Sequence, residues 1–105
     1  MAADFQAGLQ AYKRGDYATA LEEWLPLAEQ GNASAQYRLG FMYADGEGIA
    51  QDYALSHMWF NLAAAHLPAD VIQESAATQR SIIEPSMTPA QVAEARRLAR
   101  EWKPK

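Results

Sequence analysis

The chain has 105 residues, half of them apolar, which suffices for a modest buried core without staples. With no cysteine it has no disulfide or thiolate chemistry, and nothing in its residue usage marks a redox compartment. The net charge of −4 disfavours nonspecific nucleic-acid binding, but residues 91–105 carry five basic groups (Arg96, Arg97, Arg100, Lys103, Lys105) against Glu94 and Glu101, a local +3 that leaves −7 elsewhere.

Phe5, Leu9 and Tyr12 recur near i, i+4, i+7 and predict a first helix over residues 4–14, ended by Gly15-Asp16. A second helix follows over 17–30, with Ala20, Trp24, Leu27 and Ala28 on one stripe and Gly31-Asn32 as its stop. Pro26 lies inside it and predicts a kink near residues 22–26 rather than a break. Ser34 is the expected cap of a third helix running to about Tyr43, with Ala35, Leu39 and Tyr43 buried and Arg38, Met42 and Asp45 on another face. Asp52 caps a fourth, whose Ser56, Trp59, Phe60, Ala63 and Ala64 mix bulky and small groups suited to close antiparallel packing. After the break at Leu67-Pro68-Ala69-Asp70, with Asp70 as cap, a fifth helix is expected from Val71 to about Ile83, ended by Glu84-Pro85-Ser86.

The last helix has the strongest start signal. Thr88, Pro89 and Gln91 make a capping box with proline at the first helical position, and Met87 and Val92 can staple it. Val92, Ala95, Ala99 and Trp102 share one side, while Arg96, Arg97 and Arg100 face largely elsewhere. Such a helix can cover the open end of a helical stack.

The chain also repeats itself. Asp16-Tyr17-Ala18 and Asp52-Tyr53-Ala54 lie 36 residues apart, and the same offset pairs Ala20 with Ser56, Trp24 with Phe60, Leu27 with Ala63 and Ala28 with Ala64. Gly8 pairs with Gly40 at an offset of 32, so the second copy has four extra residues in its turn, around Asp45 to Ile49. A period in the thirties with helix, turn and helix in each copy predicts an all-α chain, a short α-solenoid. Its two helix-turn-helix repeats occupy about 4–31 and 34–67, with C-terminal capping helices over about 70–102, in a single domain of residues 1–105.

Signals for small-molecule chemistry are absent or incomplete. Gly46-Glu47-Gly48 follows no strand and lacks the third glycine or Lys-Ser/Thr of a phosphate loop, so it reads as a turn. Asp45, Glu47 and Asp52 lack the spacing and terminal glutamate of a calcium loop. His57 and His66, nine apart, fall on nearly opposite sides of an ideal helix. The three tryptophans read as core or cap residues. The expectation is therefore no catalytic residue, no metal and no cofactor. No stretch reaches the length of a bilayer span, and the start MAADFQAG has neither a basic nor an apolar leader region.

Leu39-Gly40, Tyr43, Gly46-Glu47-Gly48-Ile49, Asp52, Trp59-Phe60 and Ala63-Ala64 resemble the Sel-1-like repeat, a relative of the tetratricopeptide repeat. The resemblance is close over residues 35–66. Residues 4–31 match more loosely, keeping Gly8, Asp16, Ala20, Leu27 and Ala28 but lacking the G-x-G turn. Two positions depart from the pattern: Ser56 stands where the family usually has alanine, and Leu67 where it usually has glycine. The second departure implies that the array stops there, with Pro68 directing the chain into a cap. The tail MTPAQVAEARRLAREW resembles the terminal helix of short bacterial members.

The resemblance implies a noncatalytic protein-interaction scaffold or adaptor that holds a protein or peptide on the face formed by the first helix of each repeat. The paired positions there, away from the buried stripes, are Gln6 with Arg38, Gln10 with Met42, and Lys13 with Asp45. Two alternatives stand beside it. One is a small cell-wall-active or β-lactam-binding hydrolase, for which this chain lacks the paired cysteines of the relatives linked to β-lactams and any nucleophile constellation that replaces them. The other is a structural subunit that self-associates weakly through its repeat ends. The compartment stays open: Asp4-Phe5 resembles the start that follows a cleaved export leader in short members, which points to the periplasm if a leader was removed and to the cytoplasm otherwise.

Overall fold

The computed structural model describes residues 2–66 and 71–105, so the expected break at Leu67 and Pro68 and the expected cap Asp70 lie outside the described residues. Six α-helices follow one another among the described residues: α1 (Phe5–Lys13), α2 (Tyr17–Glu29), α3 (Ala33–Asp45), α4 (Tyr53–His66), α5 (Val71–Ile83) and α6 (Pro89–Glu101). A single 3-10 turn, Glu84–Ser86, separates the last two. No strand occurs among the described residues. The order is that of a short helical solenoid: α1 packs on α2, α2 on α3 and α3 on α4, while α4 also receives α5 and α6.

Short polar side chains start these helices. Asp4 accepts from the Gln6 and Ala7 amides, Asp16 from Thr19, and Asp52 from Leu55, each satisfying a donor that has no partner inside its helix. The third helix corrects the sequence expectation: its cap is Asn32, whose side-chain oxygen accepts from the Ala35 amide at 2.9 Å, and Ser34 lies inside the first turn. The capping box of α6 forms as expected, with Gln91 N–H donating to Thr88 and Thr88 N–H donating back to Gln91. Helix α2 runs unbroken through Pro26, which is exposed, so water can meet the Glu22 carbonyl that loses its N–H partner.

In each hairpin a glycine on the first helix seats an aromatic ring from the second. A Cβ on Gly40 would come within 2.5 Å of the Phe60 ring, and a Cβ on Gly8 would overlap the Trp24 indole. Both rings are fully buried. The two second helices also donate to their partners' backbones: Trp24 Nε1–H to the Phe5 carbonyl at 3.0 Å, and Ser56 O–H to the Gly40 carbonyl at 2.6 Å. That bond gives a physical reason for a serine at position 56, where a buried hydroxyl needs an acceptor.

The core continues through Ala11, Ala20, Ala28, Ala35, Leu39, Met42, Met58, Trp59 and Leu62. It also contains a fully buried amide: Gln36 donates to the Ala28 carbonyl at 3.1 Å and accepts from His66 Nδ1 at 3.0 Å, joining α2, α3 and α4. Trp102 packs on Trp59 and His66, with ring centroids 6.5 and 5.3 Å away. Beyond it, the Lys105 backbone N–H reaches the Glu29 carbonyl at 2.8 Å, and the Lys105 ammonium pairs with the Glu29 carboxylate. The C-terminal segment thus folds back from α6 to the end of α2.

Gly40→Ala is expected to destabilise the fold by about 1–3 kcal/mol in urea unfolding, because the added methyl meets a ring that cannot retreat. Helix propensity alone predicts the opposite sign, a gain of about 1 kcal/mol. Shrinking the ring with Phe60→Leu in the same chain is expected to recover part of the loss.

Candidate functional site

The first helices of the two repeats, α1 and α3, flank a cavity of about 230 Å³ lined by Tyr12, Arg38, Phe41 and Asp45. Tyr12 comes from α1 and the other three from α3 at a spacing of three and four residues, which puts them on one helical face. The Arg38 guanidinium lies 5.8 Å from the Trp24 ring centre, so the ring that fills the first hairpin also holds the cation beside the cavity. Phe41 is wedged edge-on between Tyr37 and Phe60, at 5.0 and 5.1 Å. An aromatic wall with one cation and one carboxylate results.

The glycine turn of the second repeat fixes one side of this wall. Tyr12 O–H donates to both Glu47 carboxylate oxygens, at 2.8 and 3.0 Å, which ties α1 to the turn after α3. Gly48, at φ +73°, lies against Tyr17, where a Cβ would come within 2.8 Å, so the turn can dock on the start of α2 only with glycine there. Burial, and then the hydrogen bond to Glu47, push the Tyr12 hydroxyl up to about 12.

Of the six residues expected from sequence, the structure brings Arg38 and Asp45 to the cavity. Gln6, Gln10 and Lys13 are exposed on α1 but do not line it. Met42 is a correction: it is fully buried, because α3 packs against both α2 and α4 and its core face widens from Ala35, Leu39 and Tyr43 to include Met42. Tyr12 and Phe41 were the missed members. The signal for Phe41 was its four-residue spacing from Tyr37, a second apolar stripe on α3.

A second, larger concavity of about 520 Å³ lies among α4, α5 and α6. His57 and Asn61 reach it from α4, Arg80 and Ser81 from α5, Glu84 from the turn that follows, and Arg96 and Arg100 from α6. The His57 imidazole is almost wholly buried and donates through Nε2 to Glu84 at 2.8 Å. That hydrogen bond, with Arg96 and Arg80 nearby, holds the Glu84 carboxyl below the usual carboxylate range. The other imidazole nitrogen, Nδ1, is buried without a hydrogen-bond partner among the described residues, so His57 and Glu84 do not form a relay to the Ser81 hydroxyl. His66 is engaged separately by Gln36, and among the described residues no three His, Cys, Asp or Glu side chains converge as a metal site would need.

A sequence model of the Sel1 repeat matches residues 33–66, which is α3, the glycine turn and α4. The chain carries a Sel1 repeat. Proteins of the Sel1 repeat family generally mediate protein–protein interaction. Over 48 residues the chain is 42% identical to the exopolysaccharide production negative regulator of Rhizobium leguminosarum bv. viciae, an alignment that takes in 46% of this chain and 18% of the relative. The chain thus matches less than a fifth of that relative's length. No solved structure matches. No helix among the described residues is long and apolar enough to cross a membrane.

Tyr12 supplies a pH test of the link between the repeats. Its hydroxyl titrates higher in the fold than at its ordinary value of 10.0, so its contribution to stability is present below pH 10 and is lost as pH rises towards about 12. Tyr12-resolved NMR titration is expected to show ionisation near 12. In Glu47→Gln the ionisation should move down yet stay above 10, because burial, the larger cause, persists.

Proposed function

We propose that the chain is a noncatalytic regulatory adaptor, which holds a peptide or protein segment on the face between α1 and α3. The observation that carries this reading is the cavity where Tyr12 and Phe41 stand beside Arg38 and Asp45. Aromatic rings held by packing and an arginine held over an indole present contact area with little rotamer freedom left to lose, the composition that dominates binding energy at protein interfaces. In this reading the exposed Gln6, Gln10 and Lys13 of α1 belong to the same binding face. Opposite charges on Arg38 and Asp45 favour a partner segment that carries both signs around an apolar anchor.

The family's interaction role supports this reading, and the regulator of exopolysaccharide production suggests a regulatory setting for it. In this proposal the repeats and the C-terminal helices act as one domain over 1–105, because the Lys105 contacts to Glu29 link the chain's end to the first repeat.

A photocrosslinking residue at Gln10, irradiated in cells that make the protein, tests the face. Arg38→Glu with Phe41→Ala is expected to lose the adduct at least tenfold while retaining the helical circular dichroism of the parent. An unchanged adduct from the folded double variant would remove this face from consideration. Met42→Ala is expected to act differently, lowering stability by about 2–5 kcal/mol through a core cavity. At a temperature where it is folded, its adduct should be retained.

A further inference from the structure

The cleft among α4, α5 and α6 shares no residue with the α1–α3 cavity and has a different chemistry. Helix α6 sorts its arginines into two kinds. Arg97 is held by Glu94 and Glu101 on its own helix, at 2.5 and 2.6 Å, and does not line the cleft. Arg96 and Arg100, four residues apart on the cleft face, are left with little: Arg96 has only a 3.8 Å approach to Glu84, and Arg100 has no acidic partner among the described residues. The third guanidinium, Arg80, is steadied by donating a hydrogen bond to the Asn61 side-chain oxygen, Oδ1.

The charges do not cancel. Among the described residues three guanidinium groups meet one carboxylate, Glu84, which is ionised at neutral pH and already accepts from His57. The described lining therefore holds an excess of two positive charges beside the Ser81 hydroxyl, a further donor. A volume of about 520 Å³ exceeds what a bare inorganic ion needs and falls within the range of small-ligand pockets. Guanidinium forks match the oxygens of phosphate in paired hydrogen bonds. A phosphate monoester carries roughly −1.5 to −2 at neutral pH on three acceptor oxygens, close to the excess charge of the cleft.

We propose that this cleft binds a phosphate monoester, with Arg96 and Arg100 gripping the phosphoryl oxygens, Arg80 completing the positive wall and Ser81 donating to the ligand. The remaining volume receives the organic group that bears the phosphate. His57 acts indirectly: by donating to Glu84 it draws the carboxylate to the α4 side of the cleft and limits its competition for the arginines.

The test is NMR titration of the full chain at constant ionic strength, with chloride as the balancing ion, following the side-chain N–H signals of Arg80, Arg96 and Arg100. Inorganic phosphate is the first probe, and a sugar phosphate and a phosphoserine peptide are the two esters. Saturable shifts at these arginines are expected, with one ester binding more tightly than inorganic phosphate and so naming the source. Arg96→Gln with Arg100→Gln should weaken binding roughly tenfold or more, and Arg97→Gln should leave it unchanged. Arg100→Gln alone removes an exposed side chain that has no acidic partner among the described residues, so it keeps the fold while still weakening binding. Absence of saturation with any of the three probes would overturn the proposal, as would equal affinity for succinate, or an equal loss in Arg97→Gln.

Discussion

The seating of an aromatic ring against a helix that presents glycine is the constraint on which the rest of this structure depends. Trp24 over Gly8 and Phe60 over Gly40 are the same device built twice, and any larger residue at either glycine would hold the paired helices apart. Because the rings are the largest fully buried side chains, their positions set the distance within each hairpin. The surrounding groups then follow: Phe5 and Tyr12 pack on Trp24, Tyr37 and Phe41 on Phe60, and Arg38 lies over the indole. The candidate binding face is thus the outward side of the ring packing.

Two polar ties turn the hairpins into an array. Glu47 in the glycine turn accepts from Tyr12, and Gln36 binds α2 and α4 from the first turn of α3. Both groups are satisfied at each end, so they fix a register between helices at little desolvation cost. On the other side of α4, α6 covers the apolar surface that a repeat stack would otherwise leave open, and Trp102 closes over Trp59. The same helix brings Arg96 and Arg100 to the larger cleft, so one element both closes the core and supplies charge.

Much of the architecture was legible in the sequence because it rests on local spacing. The 36-residue offset pairs Trp24 with Phe60, the glycines fall at matching places, and the Thr88 capping box starts α6 where expected. What was not legible depends on how many neighbours a helix has. Met42 lies off the narrow stripe of Ala35, Leu39 and Tyr43, and spacing alone places it outside; its burial follows from α3 lying between α2 and α4. The arginine cleft was hidden for a related reason. Its side chains come from three helices and the turn after α5, spread over residues 57–100, and only the four-residue step from Arg96 to Arg100 leaves a trace in the sequence. Asn32 displaced Ser34 as a cap because both residue types suit that role, and their position in the turn decides between them.

The central claim is that ring and glycine act as one unit in each hairpin, and a double-mutant cycle of Gly8→Ala with Trp24→Phe tests it most directly. The account predicts strong coupling: the methyl is costly against the indole and much less so against the smaller ring, with a coupling of about 1–2 kcal/mol between the two changes in urea unfolding. Additivity within about 0.5 kcal/mol would contradict it, since the glycine would then be sensing something other than the ring.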